Sequence, residues 1–124
     1  GRKWLTGVLQ GVIMGSRFAE EFPAFAADIL KNRDAYFYTG ADLNGLGYFL
    51  MQQLKNVDGA IAMFELYTEL FPQDWNAYDS LAEGWYTKGD KQKALKLYQK
   101  SLELNPASES GKKFVERINK ELGI

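Results

Sequence analysis

Apolar residues recur along this chain at helical spacing, in blocks separated by glycine, asparagine and proline. In residues 3–14 the apolar positions are Trp4, Leu5, Val8, Leu9, Val12 and Ile13. Pairs repeating every four residues make one stripe of a helix, which Gly15-Ser16 ends. A second helix is expected over residues 18–31, with Phe18, Phe22, Phe25 and Ile29 on one face. Pro23 inside it removes a backbone donor and predicts either a kink or a later start at Phe22. The next helix, residues 40–53, turns Leu43, Leu46, Gly47 and Leu50 inward, with Thr39 as N-cap and Asp42 in the capping-box place. Residues 58–71 follow, capped by Asn56 or Asp58, with Ala60, Ile61, Phe64, Tyr67 and Leu70 inside and Pro72 as the stop. Asp74 heads a helix over residues 75–87 that turns Tyr78, Leu81, Ala82 and Trp85 inward, and Gly89 supplies a left-handed turn. Asp90 heads residues 91–104, whose inner face is Ala94, Leu95, Leu97, Tyr98, Ser101, Leu102 and Leu104. A last helix over residues 109–122 sets Phe114, Val115, Ile118 and Leu122 against Lys113, Glu116, Arg117, Lys120 and Glu121.

Two of these blocks echo one another. Tyr78, Leu81-Ala82, Trp85, Ala94, Tyr98 and Pro106 repeat the pattern of Leu43, Leu46-Gly47, Leu50, Ala60, Phe64 and Pro72. The two prolines lie 34 residues apart. Large, large-small, large, then small, aromatic, proline at that period resembles the tetratricopeptide repeat. The resemblance covers residues 41–108 and is closest from Leu81 to Pro106. It implies an all-α fold, a TPR-like α-α superhelix built as a short solenoid of three helical hairpins plus a C-terminal capping helix. Each hairpin cannot bury its apolar face alone and must stack on its neighbours. The expected layout is a single domain over 1–124. A degenerate first hairpin fills 1–33, a connector 34–39, further hairpins 40–73 and 74–107, and a cap 108–124.

The first full copy departs from the family in its turn. Leu54 stands for the usual turn glycine and one residue is inserted before Ala60. The segment from Asn32 to Thr39 is also longer than the period predicts. Its Tyr36-Phe37-Tyr38 reads as a short strand with no visible partner, as a ligand-facing aromatic cluster or, the favoured reading, as apolar residues packing a long loop onto the solenoid.

Composition narrows the function. There is no cysteine and no histidine, which excludes disulfide scaffolds and Cys/His metal sites. No apolar run approaches the roughly 20 residues of a membrane span. The net charge of −1 is unevenly spread. Residues 34–87 carry one basic and eight acidic groups, whereas residues 88–124 carry nine basic and five acidic. The cluster Lys88, Lys91, Lys93, Lys96 and Lys100 reads as the solvated face of a helix. It lacks the interleaved Arg and aromatic residues of nucleic-acid recognition. A chain that opens without Met, almost at once in a helix, reads as a piece of a longer polypeptide.

Catalytic constellations are not found, and the chain reads as no enzyme. Glu20 and Glu21 are adjacent, so on a helix they diverge by about 100°. Ser80 has neither a glycine elbow nor a base beside it. Ser101 occupies a small packing position. Gly45-Leu46-Gly47 falls inside a helix and cannot cradle a phosphate. No cofactor is expected.

More narrowly, Asn76-Ala77-Tyr78-Asp79-Ser80-Leu81 followed by Lys100-Ser101-Leu102-Glu103-Leu104-Asn105-Pro106 is similar to the repeat tails of bacterial serine hydrolases, β-lactamase-like or esterase-like. That resemblance implies a non-catalytic appendage, packing on its own enzyme domain or mediating dimers, and periplasmic or exported with its enzyme. The residues themselves do not decide between a cytoplasmic protein and one that is periplasmic or exported with a secreted hydrolase.

In tetratricopeptide repeats the first helix of each hairpin lines a concave groove. The resemblance therefore places Asn44, Tyr48, Met51 and Gln52 there, then Asn76, Asp79, Glu83, Tyr86 and Thr87, and from the cap Lys113, Arg117 and Lys120. Apolar anchors among polar neighbours suit an extended peptide or a helix of a protein partner. The competing reading is that Tyr48, Met51 and Tyr86 merely pack between hairpins. Chaperone-binding members of the family clamp terminal carboxylates with Lys, Asn and Arg. The matching positions here include Asn44, Tyr48, Ser80 and Lys113, and Asp79 and Glu83 would repel a carboxylate. The repeat register predicts that Ala94→Leu destabilises the fold by ~1–3 kcal/mol, because added methylenes must enter a tight helix contact. Urea denaturation measures it, and a neutral result would put the register in error.

Overall fold

The computed structural model describes residues 1–124. Its seven α-helices are α1 (Leu5–Met14), α2 (Phe18–Lys31), α3 (Gly40–Tyr48), α4 (Val57–Leu70), α5 (Trp75–Lys88), α6 (Lys91–Leu104) and α7 (Glu109–Leu122). Consecutive helices from α3 onward pack on one another, as an all-α helical repeat requires.

The helix starts follow the capping residues. The Thr39 hydroxyl accepts from the Asp42 N–H at 3.0 Å while the Asp42 carboxylate accepts from the Thr39 N–H at 3.2 Å, a complete capping box. Asn56, rather than Asp58, caps α4 through the Gly59 N–H at 2.9 Å. Asp74, Asp90 and Ser108 do the same for α5, α6 and α7. Asp74 also accepts the Tyr67 hydroxyl at 2.5 Å, which ties the end of α4 to the start of α5.

Expectations are decided at three places. First, α2 spans Phe18–Lys31 as expected and runs through Pro23, which excludes the alternative start at Phe22. Second, Lys3–Trp4 are not helical. They form a short strand (β1) that pairs in parallel with Tyr36–Phe37 (β2), Lys3 opposite Tyr36 and Trp4 opposite Phe37. The connector is thus a turn of 3-10 helix at Arg33–Ala35 and a strand, not a plain loop. Arg2 reinforces the pairing by donating to the Asp34 carbonyl at 3.0 Å and lying over the Phe37 ring. The Tyr36 hydroxyl donates to the Asp28 carboxylate. That bond, with a second from Asn32, holds the Asp28 carboxyl below its ordinary pKa.

Third, the inserted residue is absorbed before the turn. Residues Phe49–Gln53 form a π turn continuing α3, closed by the Leu54 N–H on the Phe49 carbonyl at 3.1 Å. A π turn spans one more residue per hydrogen bond than an α turn. Leu43, Gly47 and Leu50 stay buried before it, and Ala60 and Phe64 stay buried after it. The left-handed turn residue is then Lys55 (φ 55°), not Leu54. Lys55 lies one 34-residue period before Gly89 (φ 106°), which turns the α5–α6 hairpin.

Each hairpin closes by an aromatic ring set into a small residue. A Cβ on Gly47 would overlap the Phe64 ring. In the next hairpin Ala82, Ala94 and Tyr98 are fully buried together with Ile118 of α7. The larger core runs from Leu5 to Leu81 without a break, so the first hairpin shares it. That hairpin is set differently from the others. Its α2 approaches α4 more closely than α3, and Phe22, Pro23 and Ala26 line a shallow hollow with Ala62 and Leu66.

A left-handed non-glycine residue costs roughly 1–2 kcal/mol, partly offset in a glycine variant by chain entropy. Lys55→Gly should therefore stabilise the protein by about 0.5–1 kcal/mol in urea denaturation. A loss of stability would mean that the Lys55 side chain holds the turn.

Candidate functional site

The first helices of successive hairpins, α3, α5 and the cap α7, stand side by side and are cross-linked at one-repeat spacing. The Ser80 hydroxyl donates to Asn44 Oδ1 at 2.5 Å. The Tyr48 hydroxyl donates to Glu83 Oε1 at 3.1 Å. The Tyr86 hydroxyl donates to both carboxylate oxygens of Glu121, at 2.7 and 2.9 Å. The helix period brings these residues to one face, and the stacking brings the three faces together.

Most of the groove residues expected from sequence lie along this face. Asn44, Tyr48, Asn76, Asp79, Glu83 and Tyr86 are half-buried, and Gln52, Lys113 and Arg117 are exposed. Met51 is the departure: it is only 6 % exposed and belongs to the core, because the π turn rotates it inward. Tyr48 serves two purposes. Its ring meets Phe64 edge-on at 5.2 Å and its hydroxyl reaches Glu83. Burial, above all, pushes that phenol up to about 12. Tyr86 meets Phe114 edge-on, and the Arg117 guanidinium lies 5.9 Å from the centroid of the same Phe114 ring. Lys113, Phe114 and Arg117 line a shallow hollow on α7.

At the centre of the face sits Asp79. Its Oδ1 is buried and accepts no hydrogen bond. Burial first, then the charge of Glu83 one turn away, push its carboxyl up to about 6. Tyr98 is fully buried, with its ring stacked on Phe114 at 4.8 Å and its hydroxyl unpartnered. Burial raises that phenol's pKa, and the charges of Asp79 and Glu83 raise it further. Sequence reasoning treated Tyr98 as packing alone. The available signal was that this repeat carries a tyrosine where the preceding one has Phe64, so a hydroxyl is the added group. Glu121, a partner of Tyr86, was read only as part of a solvated face.

The lysine cluster of α5 and α6 is largely engaged on the surface. Lys88 pairs with Asp58 at 2.5 Å, Lys91 with Glu121 at 3.8 Å and Lys100 with Glu103 at 3.7 Å. Lys93 lies 4.1 Å from the centroid of the Trp85 ring. No group of three or more acidic, His or Cys side chains is placed to hold a metal ion. No helix is long and apolar enough to cross a membrane.

The family model described as Tetratricopeptide repeat matches residues 75–108, the whole of the α5–α6 hairpin and its connection to α7. Residues 75–108 are a tetratricopeptide repeat, set within an all-α helical repeat. A search of curated proteins finds no match to it. Tetratricopeptide repeats are protein-interaction modules, typically without catalytic activity.

The Asp79 carboxyl titrates higher in the folded protein than the usual aspartate value of about 3.9. The folded state therefore holds its proton through a window in which the unfolded state has lost it. Its contribution to stability is present below about pH 4 and is lost as pH rises through about 6. Asp79→Asn should raise the melting temperature at pH 7.5, with the gain shrinking towards pH 4.5. A gain independent of pH would mean that burial of the charge is not the cause.

Proposed function

We propose that this tetratricopeptide repeat domain is a non-catalytic protein-interaction module that holds an extended peptide, or a helix of a partner, along the face of α3, α5 and α7. The observation that carries this reading is the continuous row of half-exposed polar and aromatic groups, Asn44, Tyr48, Asn76, Glu83 and Tyr86, spanning successive hairpins. Rigid aromatic rings beside unsaturated polar groups offer affinity and register without ordering a loop. The hydrogen bonds between helices hold the face in shape before a partner arrives. Tyr48 is partly committed to packing, which leaves Tyr86 as the more accessible anchor.

A second reading is an appendage that docks on an enzyme domain of the same protein or on a second copy. It draws on a different surface, where Trp4 (62 % exposed), Met14 (60 % exposed), Phe37 and Phe49 present apolar area around the first hairpin. Under that reading Met14→Glu changes the sedimentation coefficient of a self-associated sample, and under the groove reading it does not.

Peptides selected from a random dodecapeptide display library should shift the backbone NMR resonances of Asn44, Asn76, Glu83, Tyr86 and Arg117. Shifts confined to the first hairpin would refute the groove. A fluorescein-labelled peptide with an acidic C-terminal tail should show no binding in fluorescence anisotropy, since Asp79 and Glu83 oppose its carboxylates. Saturable binding of that peptide would overturn the electrostatic argument.

A further inference from the structure

We propose that the hollow between α2 and α4 seats a lysine or arginine side chain of a partner protein, its alkyl stem on the apolar floor and its charge between Glu65 and Glu69. The inference goes beyond the groove reading. The hollow is built from the second helices of the first two hairpins and shares no residue with the row on α3, α5 and α7.

The floor is apolar. Phe22 and Leu66 are buried in it, Ala26 and Ala62 are half-buried, and Pro23 is exposed. Small residues on both helices, Ala26 and Ala62, leave the depression unfilled. The space is about 210 Å³, below the roughly 300–1,000 Å³ of small-molecule sites. That size suits one long side chain better than a cofactor or a whole helix.

Two carboxylates complete the lining. Glu65 and Glu69 lie four residues apart on α4, so they share a face, and like charges so spaced oppose helix stability. Both are exposed to solvent. Neither belongs to any of the protein's ion pairs, whose carboxylates are Asp58, Glu103, Glu109, Glu116 and Glu121. The Thr68 hydroxyl donates to the Glu65 backbone carbonyl at 2.7 Å and not to a carboxylate. The cation that acts on Glu65 is Lys93 of α6, whose ammonium lies 4.1 Å from the centroid of the Trp85 ring instead of closing an ion pair. Burial first, then the charge of Glu69, hold the Glu65 carboxyl above its ordinary pKa.

The occupant follows from this combination. An apolar side chain would cover the floor and strip water from two carboxylates without supplying a counter-charge. A carboxylate or a phosphate would meet two like charges. Lysine and arginine carry both halves, a stem that lies along apolar surface and a charged head that stays at the rim. A guanidinium adds a planar fork that matches carboxylate oxygens.

The test uses the whole chain and the random dodecapeptide library. Panning on the native protein should enrich a class of peptides with lysine or arginine at one fixed position. These peptides, fluorescein-labelled, should bind the Glu65→Gln, Glu69→Gln double variant at least about threefold more weakly in anisotropy titrations. Norleucine in place of the basic residue should cause a similar loss. Ala26→Leu, which fills the floor and keeps both charges, should weaken the same peptides, and this separates seating in the hollow from general attraction to negative charge. Their backbone NMR shifts should centre on Ala26, Ala62 and Leu66. Removing the like-charge pair should keep or raise the melting temperature, so weaker binding to the double variant is not lost folding. Binding unchanged by Ala26→Leu, or peptides that map to the hollow without a basic residue, would overturn the inference. Peptides that shift only α3, α5 and α7 would overturn it and leave the groove standing. No enrichment at all would overturn both.

Discussion

The contact on which the rest depends is an aromatic ring of one helix driven against a small residue of its hairpin partner. Phe64 lies where a Cβ on Gly47 would stand, and Tyr98 is buried with Ala82. Interiors packed to crystal-like density admit no slack at such points. The ring sets the distance and rotation of the two helices. That rotation decides which residues of α3 and α5 are left facing outward as the row from Asn44 to Tyr86. This outward face is thus a by-product of core packing, and its polar residues are those the hairpin contact does not consume.

The same geometry explains why Asp79 is under electrostatic tension. Ala82 and Tyr98 must approach closely, so the residue one turn earlier on α5, Asp79, is drawn partly into the interior. Its carboxyl is driven up by burial and by Glu83. A purely structural face would set a neutral residue there.

The π turn after α3 shows how a solenoid tolerates an extra residue. Ten residues separate Leu50 from Ala60, against nine from Trp85 to Ala94. An insertion in the middle of either helix would rotate half of its apolar face out of the core. Taken up at Phe49–Gln53, it rotates only Met51 inward and leaves Lys55 in the left-handed turn. Both consequences follow from the count of residues. The form they took could not be read from it, since a wider turn and a longer loop hold the same number.

Periodicity and caps were enough to place α3 to α7, their inward faces and the repeat they compose, because helix formation and hairpin stacking depend on contacts near in sequence. The outward row Asn44, Tyr48, Asp79, Glu83, Tyr86 was legible for the same reason, as the complement of the inward positions. Three things were decided only in three dimensions. The pairing of Lys3–Trp4 with Tyr36–Phe37 joins segments about thirty residues apart, with two residues each and no alternation long enough to signal a strand. The closer approach of α2 to α4 than to α3 reflects the long connector, not any residue pattern. The burial of the Tyr98 hydroxyl without a partner depends on the depth at which α6 sits behind α5. A one-dimensional pattern states which face of a helix is apolar, but burial and electrostatic coupling arise from the distances between faces, which exist only once the helices are stacked.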